Sequence, residues 1–332
     1  MIHKLTETVP KEVRYGMSIK HSLVVPCYNE QDNIEPFLLA VKQAMNGYTD
    51  SYEVVFVNDG STDRTRTVLR SVAEKYVDVR IKVIGFSRNF GKEAAMYAGL
   101  QESTGEYVTV IDADLQQPPE TAVEMGRLLD AQPEIDMVAA VQKQRKESKR
   151  MVACKNAFYS LINKMTEIDV LADASDFRTL RRNVVEAILS LSEYHRFSKG
   201  LFAWVGFHTL SIPYTVSERR SGESKWNFMK LLRYALVGIM SYTETPLRLP
   251  VYLGGGLLAL SLIGAIALLL CQLVAGLFVG FWWLADLLIF LASLILLSVG
   301  VQGMYLGKVH TQVKQRPIYI AKEKYTNETM DR

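Results

Sequence analysis

The chain contains few cysteines and lacks a Gly-x-Gly-x-x-Gly motif, and both features narrow its possible functions. Only three of its 332 residues are cysteines, and Cys27, Cys154 and Cys271 are too far apart for a CxxC or another metal-ligand spacing. We therefore expect no disulfide framework, which is consistent with a reducing compartment for the polar part of the chain. Because no Gly-x-Gly-x-x-Gly follows the first apolar run, the chain does not fit a nicotinamide-dependent dehydrogenase.

Charged residues are missing from a long stretch towards the C-terminus. Residues 250–285 contain no Lys, Arg, Asp or Glu, and this stretch exceeds the roughly 20 apolar residues that one membrane crossing needs. It is interrupted near residues 276–280, and a second apolar run continues after Asp286 to about Leu306. We predict a hairpin of two transmembrane helices within residues 249–307. A long buried hairpin in a soluble protein is the alternative.

The basic residues around this apolar stretch predict its orientation. Arg248 precedes it and Lys308, Lys314 and Arg316 follow it. The positive-inside rule then places both termini and the large polar region in the cytoplasm, at the plasma membrane. The N-terminus lacks the apolar core of a signal peptide, which leads to the same expectation. The formal net charge of +3 is too small to indicate nucleic acid, and the basic residues beside the apolar stretch suit the lipid bilayer better.

The composition predicts five parts along the chain. The stretch that precedes the predicted hairpin alternates aromatic with basic side chains, which is typical of helices in the membrane interface. A surface helix packed on its own domain would give the same pattern. The predicted parts are an N-terminal extension at 1–21, a cytoplasmic α/β domain at 22–225, interfacial amphipathic helices at 226–248, the hairpin at 249–307 and a cytoplasmic tail at 308–332.

Short apolar runs alternate with helical stretches in the first third of the chain. The runs at 23–25, 53–57, 81–84 and 107–111 predict strands, and helical spacing of apolar residues predicts helices over 33–45 and from Asp63 onwards. This rhythm predicts a mostly parallel sheet with helices on both faces. In such sheets ligands bind at the carboxyl ends of the strands. Polar clusters stand at those ends: Tyr28-Asn29-Glu30, Asn58-Asp59 and Asp112-Ala113-Asp114.

Asp112 and Asp114 are candidate metal ligands. Two carboxylates two positions apart, directly after a strand, can reach one hard cation, and Gln116 can add a carbonyl oxygen. Mg²⁺ or Mn²⁺ held in this way takes its other ligands from phosphate and water. Loop acids that cap a helix give the same local pattern, but the position after a strand favours a metal that bridges a diphosphate.

Three other loops carry candidate ligand-binding residues. The segment 26–30 offers the Tyr28 ring for stacking on a base, and Asp59 can accept hydrogen bonds from a base or a ribose. Either loop can instead cap a helix. Arg88 and Lys92 stand on either side of Gly91 between a strand and a helix, and this composition suits an anion at a helix N-terminus. Arg88 can also be a solvated loop cation.

The order of these motifs resembles a known family. The segments 26–30, 58–61, 87–93, 112–116, Ser175-Asp176-Phe177-Arg178 and 219–226 occur in this order and are followed by two predicted crossings. From about residue 22 to 320, the chain resembles family 2 glycosyltransferases of the polyprenyl-phosphate group. It is most similar to bacterial bactoprenol glucosyltransferases and more distantly to dolichol-phosphate mannose synthases. The chain departs from the usual Asp-Pro-Pro after the metal motif, since it has Gln117-Pro118-Pro119.

The resemblance implies an α/β fold of the GT-A type, a Rossmann-like, mostly parallel sheet, followed by the two-helix transmembrane hairpin. It implies a metal bound by Asp112, Asp114 and Gln116, and a catalytic carboxylate at Asp176, next to Arg178. It implies a homo-oligomer, which could be a tetramer. The predicted nucleotide-binding residues are Pro26, Tyr28, Glu30, Asp59, Arg88, Lys92 and Asp112, and the predicted phosphate or acceptor-binding residues are Arg196, Lys199, Arg219, Ser224 and Lys225.

The role of Asp176 stays open at this point. A phosphate monoester has a second pKa near 6, so an acceptor of this kind is largely anionic at neutral pH and scarcely needs a general base. We expect Asp176 to orient Arg178 or the sugar at least as much as it takes a proton. The structural alternative is that Asp176 is an ion-pair partner of Arg178.

The function predicted from these features is the inverting transfer of one glucose or N-acetylhexosamine from a UDP-sugar to undecaprenyl phosphate at the cytoplasmic membrane face. The product would be a lipid-linked sugar for modification of a cell-envelope glycan. The alternatives are a GDP-mannose-dependent polyprenyl-phosphate mannose synthase and a membrane-tethered sensor that binds sugar nucleotides without turnover. A processive polysaccharide synthase fits poorly, because the chain has neither a Gln-x-x-Arg-Trp motif nor further predicted crossings.

Overall fold

The computed structural model describes residues 18–142, 174–191, 193, 194, 196–216 and 281–330 of the protein. The chain divides into two compact units, and the first comprises Met1–Ser160, Ile168–Lys225 and Pro317–Arg332. The second unit comprises Leu161–Glu167 and Trp226–Arg316. The predicted interfacial helices at 226–248 and the first predicted crossing lie outside the described residues.

The first unit is an α/β domain built on one sheet. Its described strands follow the spatial order β7-β5-β6-β4-β1-β2-β3-β8. Strands β1 to β4 are parallel to one another, β6 and β8 run antiparallel to their β4 and β3 neighbours, and β7 is parallel to β5. The predicted α/β fold with a mostly parallel sheet is thus confirmed. The strands are β1 His21–Cys27, β2 Tyr52–Asn58, β3 Arg80–Phe86, β4 Tyr107–Val110, β5 Met137–Gln142, β6 Ala174–Arg181, β7 Thr209–Tyr214 and β8 Ala321–Thr326.

Helices cover both faces of this sheet. One core contains the inward faces of α1, α2 and α4, and a second core contains those of α3, α5 and α6. Strand β1 supplies Leu23 and Val25 to the first core and Val24 to the second, because successive side chains of a strand point to opposite faces. The helices are α1 Ile34–Met45, α2 Thr65–Lys75, α3 Lys92–Glu102, α4 Pro119–Ala131, α5 Arg182–Ser190, α6 Ser198–Trp204, α7 Phe281–Val313 and α8 Asn327–Met330.

The sheet opens between β1 and β4 at its carboxyl edge. β1 pairs with β4 only as far as Val24, whereas it pairs with β2 as far as Cys27. Pro26 lies in the part of β1 beyond the β4 pairing, where a missing N–H costs no ladder bond on that side. The order of the parallel strands also reverses between β1 and β4, which is where open α/β sheets bind ligands. The sheet therefore presents a crevice at this point.

The C-terminal residues, within the predicted tail at 308–332, contain a strand and a helix that the sequence analysis did not predict. Residues 321–326 form β8, which pairs antiparallel with β3 and extends the sheet, and α8 follows directly. Asn327 anchors this end, since its side chain accepts a hydrogen bond from the Ile81 N–H and donates to the carbonyls of Tyr76 and Val79. The end of the chain is therefore an integral part of the first unit.

The described part of the second unit consists mainly of α7. This helix has 33 residues and covers the second predicted crossing. Within the residues that the structure describes, we find no helix whose length and apolar character suffice for a membrane crossing.

Candidate active site

The loops that follow β1 and β2 are joined by hydrogen bonds at the carboxyl edge. The backbone N–H of Asn29 donates to the Ser61 hydroxyl at 3.0 Å, and that of Glu30 donates to the Thr65 hydroxyl at 2.9 Å. In return, the N–H of Thr62 donates to the Asn29 side chain at 2.9 Å. These bonds fix both loops as one wall beside the crevice.

The predicted nucleotide-binding residues of β1 lie on this wall. Tyr28 is half-buried there, and Asn29 adopts a left-handed backbone conformation with a φ of 55°. The carboxylate of Glu30 accepts a hydrogen bond from the Asn33 amide at 2.6 Å. The structure therefore brings Pro26, Tyr28 and Glu30 to the carboxyl edge, where the sequence places them, and their contact with a nucleotide stays a prediction.

Asp59 holds the next loop, residues 87–91, which we call the β3–α3 loop. Its buried carboxylate accepts hydrogen bonds from the backbone N–H groups of Phe90 at 2.7 Å and Gly91 at 3.0 Å. Burial raises the pKa of Asp59, although the two amides and the charge of Arg88 oppose the rise. The approach is close, because a Cβ on Gly60 would lie 2.3 Å from the backbone carbonyl carbon of Arg88. Asp59 thus shapes the loop that carries the predicted anion-binding residues.

Arg88 and Lys92 stand at the two ends of this loop. The exposed Arg88 guanidinium lies over the Phe90 ring, 4.1 Å from its centroid. Gly91 has a φ of 100°, a conformation that favours glycine, and Lys92 is the first residue of α3. The loop therefore leaves Arg88 exposed beside the crevice and directs Lys92 towards the end of β4.

Lys92 joins the carboxylates of Asp112 and Asp176. Its ammonium lies 2.7 Å from Asp112 Oδ1 and 3.4 Å from Asp176 Oδ2. Burial would lower the pKa of Lys92, but the charges of the two carboxylates outweigh it and raise that pKa. Residues from α3, from the turn after β4 and from β6 therefore meet at one point, although they are far apart in the sequence.

The end of β4 holds the predicted metal ligands. The backbone N–H of Asp112 donates to the Gln117 side-chain oxygen at 2.8 Å, and the Asp114 carboxylate accepts a hydrogen bond from the Gln116 N–H at 3.1 Å. Leu115, between them, has a φ of 61° and so forms a tight turn. Gln117, which replaces the more usual acid, is buried and supports Asp112 directly. No sequence pattern predicts this supporting role.

The donor set at this turn suits a hard cation that shares its ligands with phosphate. No group of three or more His, Cys, Asp or Glu side chains with metal-binding geometry occurs among the residues in the described ranges. Asp112 and Asp114 supply two carboxylates, and ions such as Mg²⁺ are commonly bound by one or two carboxylates plus substrate phosphates. The residues present therefore fit a metal that arrives with a diphosphate.

Asp176 and Arg178 point to the same side of β6. Arg178 is opposite Val110, so Asp176 extends just beyond the end of β4. Burial would raise the pKa of Asp176, but the charges of Lys92, Lys199 and Arg178 lower it below its usual value. Within the described part of the chain, Asp176 Oδ1 is buried without a hydrogen-bond partner.

Arg178 is a buried cation. Its guanidinium lies 3.9 Å from the centroid of the Phe202 ring on α6. Burial lowers the pKa of Arg178 to about 10, and the charge of Asp176 opposes this shift. Arg178 stays protonated at neutral pH and keeps a positive charge beside Asp176.

The structure gives Arg196 a structural role. Its guanidinium donates to the carbonyls of Ile188 at 3.1 Å and Leu191 at 2.7 Å, and so caps the C-terminal end of α5. It also lies 4.6 Å from the centroid of the Tyr97 ring. Lys199, on α6, is close enough to Asp176 to lower its pKa. The predicted acceptor residues Arg219, Ser224 and Lys225 lie outside the described residues.

Glu93 positions α6 beside this site. Its carboxylate accepts hydrogen bonds from the backbone N–H and the hydroxyl of Ser198, the first residue of α6. This contact joins the first turns of α3 and α6, and it fixes Lys199 near Asp176. A lone Glu after Lys92 gives no sequence signal for such a contact, because its partner lies 105 positions further along.

Comparison with known proteins gives matches over most of the chain. Residues 22–189 match the family model described as glycosyl transferase family 2. An uncharacterized glycosyltransferase of Synechocystis is 40% identical over 313 residues, which cover 92% of this chain and 96% of that protein. A prophage-derived bactoprenol glucosyl transferase of Shigella flexneri is 37% identical over 311 residues, which cover 92% and 99% respectively.

Solved structures show a weaker likeness. The glucosyl-3-phosphoglycerate synthase of Mycobacterium tuberculosis, in complex with Mn²⁺, UDP-glucose and phosphoglyceric acid, is 19% identical with a TM-score of 0.44. The match covers 72% of this chain and 83% of that one.

Proposed function

Since the chain belongs to glycosyltransferase family 2, we propose that it transfers one glucose or N-acetylhexosamine from a UDP-sugar to undecaprenyl phosphate. The observation that carries this proposal is the meeting of Asp112, Lys92 and Asp176 at the carboxyl edge, next to Asp114. The side of this cluster with Asp112 and Asp114 suits a diphosphate that carries a metal ion. The side with Asp176 and its neighbouring cations suits an anionic acceptor. The name of the Shigella flexneri relative supports bactoprenol, a polyprenyl carrier, as the acceptor lipid.

The donor would bind in the crevice between β1 and β4. Pro26, Tyr28 and Glu30 would face the base and ribose, and Asp59 would act by holding the β3–α3 loop in place. Asp112, Asp114 and Gln116 would hold Mg²⁺ or Mn²⁺, which offsets the charge that develops on the departing UDP. Arg88 and Lys92 would approach the diphosphate, and cations suit that place because phosphate oxygens are strong acceptors.

The acceptor would enter on the side of Asp176. An oxygen of the lipid phosphate attacks the anomeric carbon, the bond from that carbon to the UDP oxygen breaks, and UDP leaves with the electron pair. One direct displacement inverts the anomeric configuration. The attacking oxygen is largely anionic at neutral pH, so no proton has to be removed. Lys199 and Arg178 would reduce the repulsion between the two phosphate groups, and Asp176 would orient Arg178 or the sugar.

The cellular setting is part of the proposal. We place the chain in the plasma membrane through a hairpin at 249–307, with the interfacial helices at 226–248 and both termini on the cytoplasmic side. Arg219, Ser224 and Lys225 would close over the phosphates. The chain would form a homo-oligomer. A GDP-mannose donor and a non-catalytic sensor of sugar nucleotides are the alternatives that the experiment must separate.

The test is a transfer assay with the purified full chain in detergent. The protein is incubated with Mg²⁺ or Mn²⁺, undecaprenyl phosphate and a panel of labelled UDP- and GDP-sugars, and label in the organic phase is measured. We expect transfer from one UDP-sugar, with loss of transfer on addition of EDTA or in the Asp114→Ala variant. Asp130→Ala, which removes a surface ion-pair partner of Lys20 far from the crevice, is the matched control.

Each other outcome would change one part of the proposal. Label extracted only from GDP-mannose would replace the UDP-sugar proposal with the mannose synthase. Binding of UDP without transfer from any donor would support the sensor. Transfer that persists in EDTA and in Asp114→Ala would contradict the assigned metal site.

A further inference from the structure

The C-terminal segment, residues 317–326, borders the β3–α3 loop. Because β8 runs antiparallel to β3, its first residues lie at the carboxyl edge of the sheet, and Ala321 is opposite Phe86. The backbone N–H of Ser87 donates to the carbonyl of Ile320 at 3.0 Å. The first residue of the β3–α3 loop is thus hydrogen-bonded to a segment that comes from the far end of the chain.

Tyr319 contacts both elements that the β3–α3 loop connects. Its ring stacks on the Phe86 ring at the end of β3, with 4.8 Å between centroids and 21° between planes. Its hydroxyl donates to the Gln101 side chain on α3 at 3.0 Å, and its ring also approaches Tyr97 on the same helix. One side chain therefore sets the distance between the strand before the loop and the helix after it.

The contacts continue from Tyr319 into the candidate active site. The Phe86 ring meets the Phe90 ring edge-on at 5.7 Å, and Phe90 and Gly91 donate their N–H groups to Asp59. Lys92 follows directly and reaches Asp112. A displacement of Phe86 would therefore also displace Lys92, because ring packing and hydrogen bonds connect the residues between them.

We propose that the C-terminal segment is a positioning element of the donor site and that Tyr319 is its positioning residue. Tyr319 does not touch the candidate site itself; it acts through Phe86 and the β3–α3 loop. The inference rests on the proposed function, because the loop is taken to bind the donor diphosphate. It adds a role for residues after the predicted hairpin that the family match at 22–189 does not include.

The attachment of the C-terminal segment does not depend on Tyr319 alone. Glu323 forms a two-pronged ion pair with Arg66, and its side chain lies so close to β3 that a Cβ on Gly85 would be 2.8 Å from Glu323 Cγ. Asn327 holds the other end through three hydrogen bonds. The loss of the Tyr319 ring should therefore loosen the loop and leave β8 in the sheet.

The experiment compares Tyr319→Ala with two controls in the full-length chain in detergent. Tyr319→Phe keeps the ring and removes only the hydroxyl, and Lys322→Ala truncates an exposed side chain on the same segment. Hydrogen exchange of residues 87–92, UDP binding with Mn²⁺ and the Tm are measured for each variant. For Tyr319→Ala we expect exchange faster by about tenfold and UDP binding weaker by about tenfold, because small misplacements of site residues are costly. Both controls should stay within about twofold of the wild type, since neither removes the ring contact.

The two readouts separate this inference from the proposed function. Wild-type protein that binds no UDP would overturn the proposed function, and the exchange of residues 87–92 would still decide whether Tyr319 orders the loop. Unchanged exchange in Tyr319→Ala would overturn the inference. So would an equal loss in Lys322→Ala, which would indicate general destabilisation. If Tyr319→Ala fails to fold, Tyr319→Leu, which keeps part of the apolar contact, is measured in its place.

Discussion

At the scale of single residues, the charge of Asp176 is determined by its neighbours. The charges of Lys92, Lys199 and Arg178 lower its pKa below the usual value, although burial opposes this shift. A group with a lowered pKa is a weak base at neutral pH. The structure therefore favours an orienting role for Asp176, while Lys92 holds one of its oxygens at 3.4 Å.

We predict that Asp176→Asn lowers the transfer rate by about a hundredfold, and by the same factor from pH 5 to pH 8. The reason is that Asn keeps the size of the side chain but loses the charge that Lys92 and Arg178 require. The measurement is a pH profile of transfer from the labelled donor for both proteins. Near-normal activity at pH 7 with selective loss at pH 5, where the acceptor phosphate becomes protonated, would indicate proton removal instead. Asp50→Asn, at an exposed position outside the site, is the control.

At the scale of elements, the position of Lys92 depends on how α3 packs on the sheet. Gly99 allows close contact, because a Cβ at this position would lie 2.2 Å from the Val24 side chain on β1. Most of the buried residues of α3 are small, among them Ala94, Ala95 and Ala98, and they lie on several sides of the helix. Substitution at Gly99 should therefore displace the helix whose first residue is Lys92.

We predict that Gly99→Ala lowers stability by about 1–3 kcal/mol, the usual effect of overpacking a core, and also lowers transfer activity. The Tm and the transfer rate are measured together. Gly303→Ala is the control, because none of the described residues lies within 4 Å of a Cβ at that helical position. A Gly99→Ala protein as stable and as active as the wild type would show that α3 does not need this close approach.

The elements that sequence patterns predict are those with local signals. Apolar runs with helical spacing between them indicate β1 to β4 and α1, and these are confirmed. Helix α2 begins two residues later than predicted, because the Asp63 side chain accepts a hydrogen bond from the Thr65 N–H and so belongs to the loop. Strand β8 was missed. Its sequence, Ala-Lys-Glu-Lys-Tyr-Thr, is mostly charged, and its place in the sheet depends on β3, far away in the chain.

The candidate site was predictable to a similar extent. Asp112, Asp114, Lys92 and Asp176 stand next to strands and loops with recognisable patterns, and the structure brings them to one edge. The supporting contacts of Gln117 and Glu93 could not be predicted, since they depend on which loops become neighbours. The cap that the Arg196 guanidinium forms on α5 could not be predicted either, and binding of the acceptor by Arg196 stays a prediction.

At the scale of the whole molecule, folding stability depends on a buried histidine at the start of β1, an inner strand of the sheet. His21 is fully buried, and its Nε2 is 2.6 Å from the Thr109 hydroxyl, which is in turn 2.6 Å from that of Thr179. Burial is the main cause that lowers the pKa of His21 from 6.5 to about 3. In the unfolded chain His21 becomes protonated below pH 6.5, whereas in the folded chain it stays neutral down to about pH 3. Folding stability therefore falls as the pH decreases through this range.

We predict that His21→Gln reduces this acid sensitivity by up to about 1.4 kcal/mol per pH unit, which is the effect of one proton. The Tm is measured between pH 7 and pH 5 for both proteins. His208→Gln is the control, because His208 is exposed and bonds only to a nearby loop among its described contacts. An identical pH dependence in His21→Gln and wild type would show that other groups cause the acid sensitivity.

The attachment of β8 also has a consequence for biosynthesis. Arg66 and its partner Glu323 are 257 positions apart, a length that a ribosome makes in roughly 13–50 seconds at about 5–20 residues per second. Throughout that interval the hydrogen-bonding edge of β3 is unpaired, and unpaired edges promote association with other chains. The ribosome therefore synthesises the whole second unit before β8 is available to pair with β3 and complete the sheet at this edge.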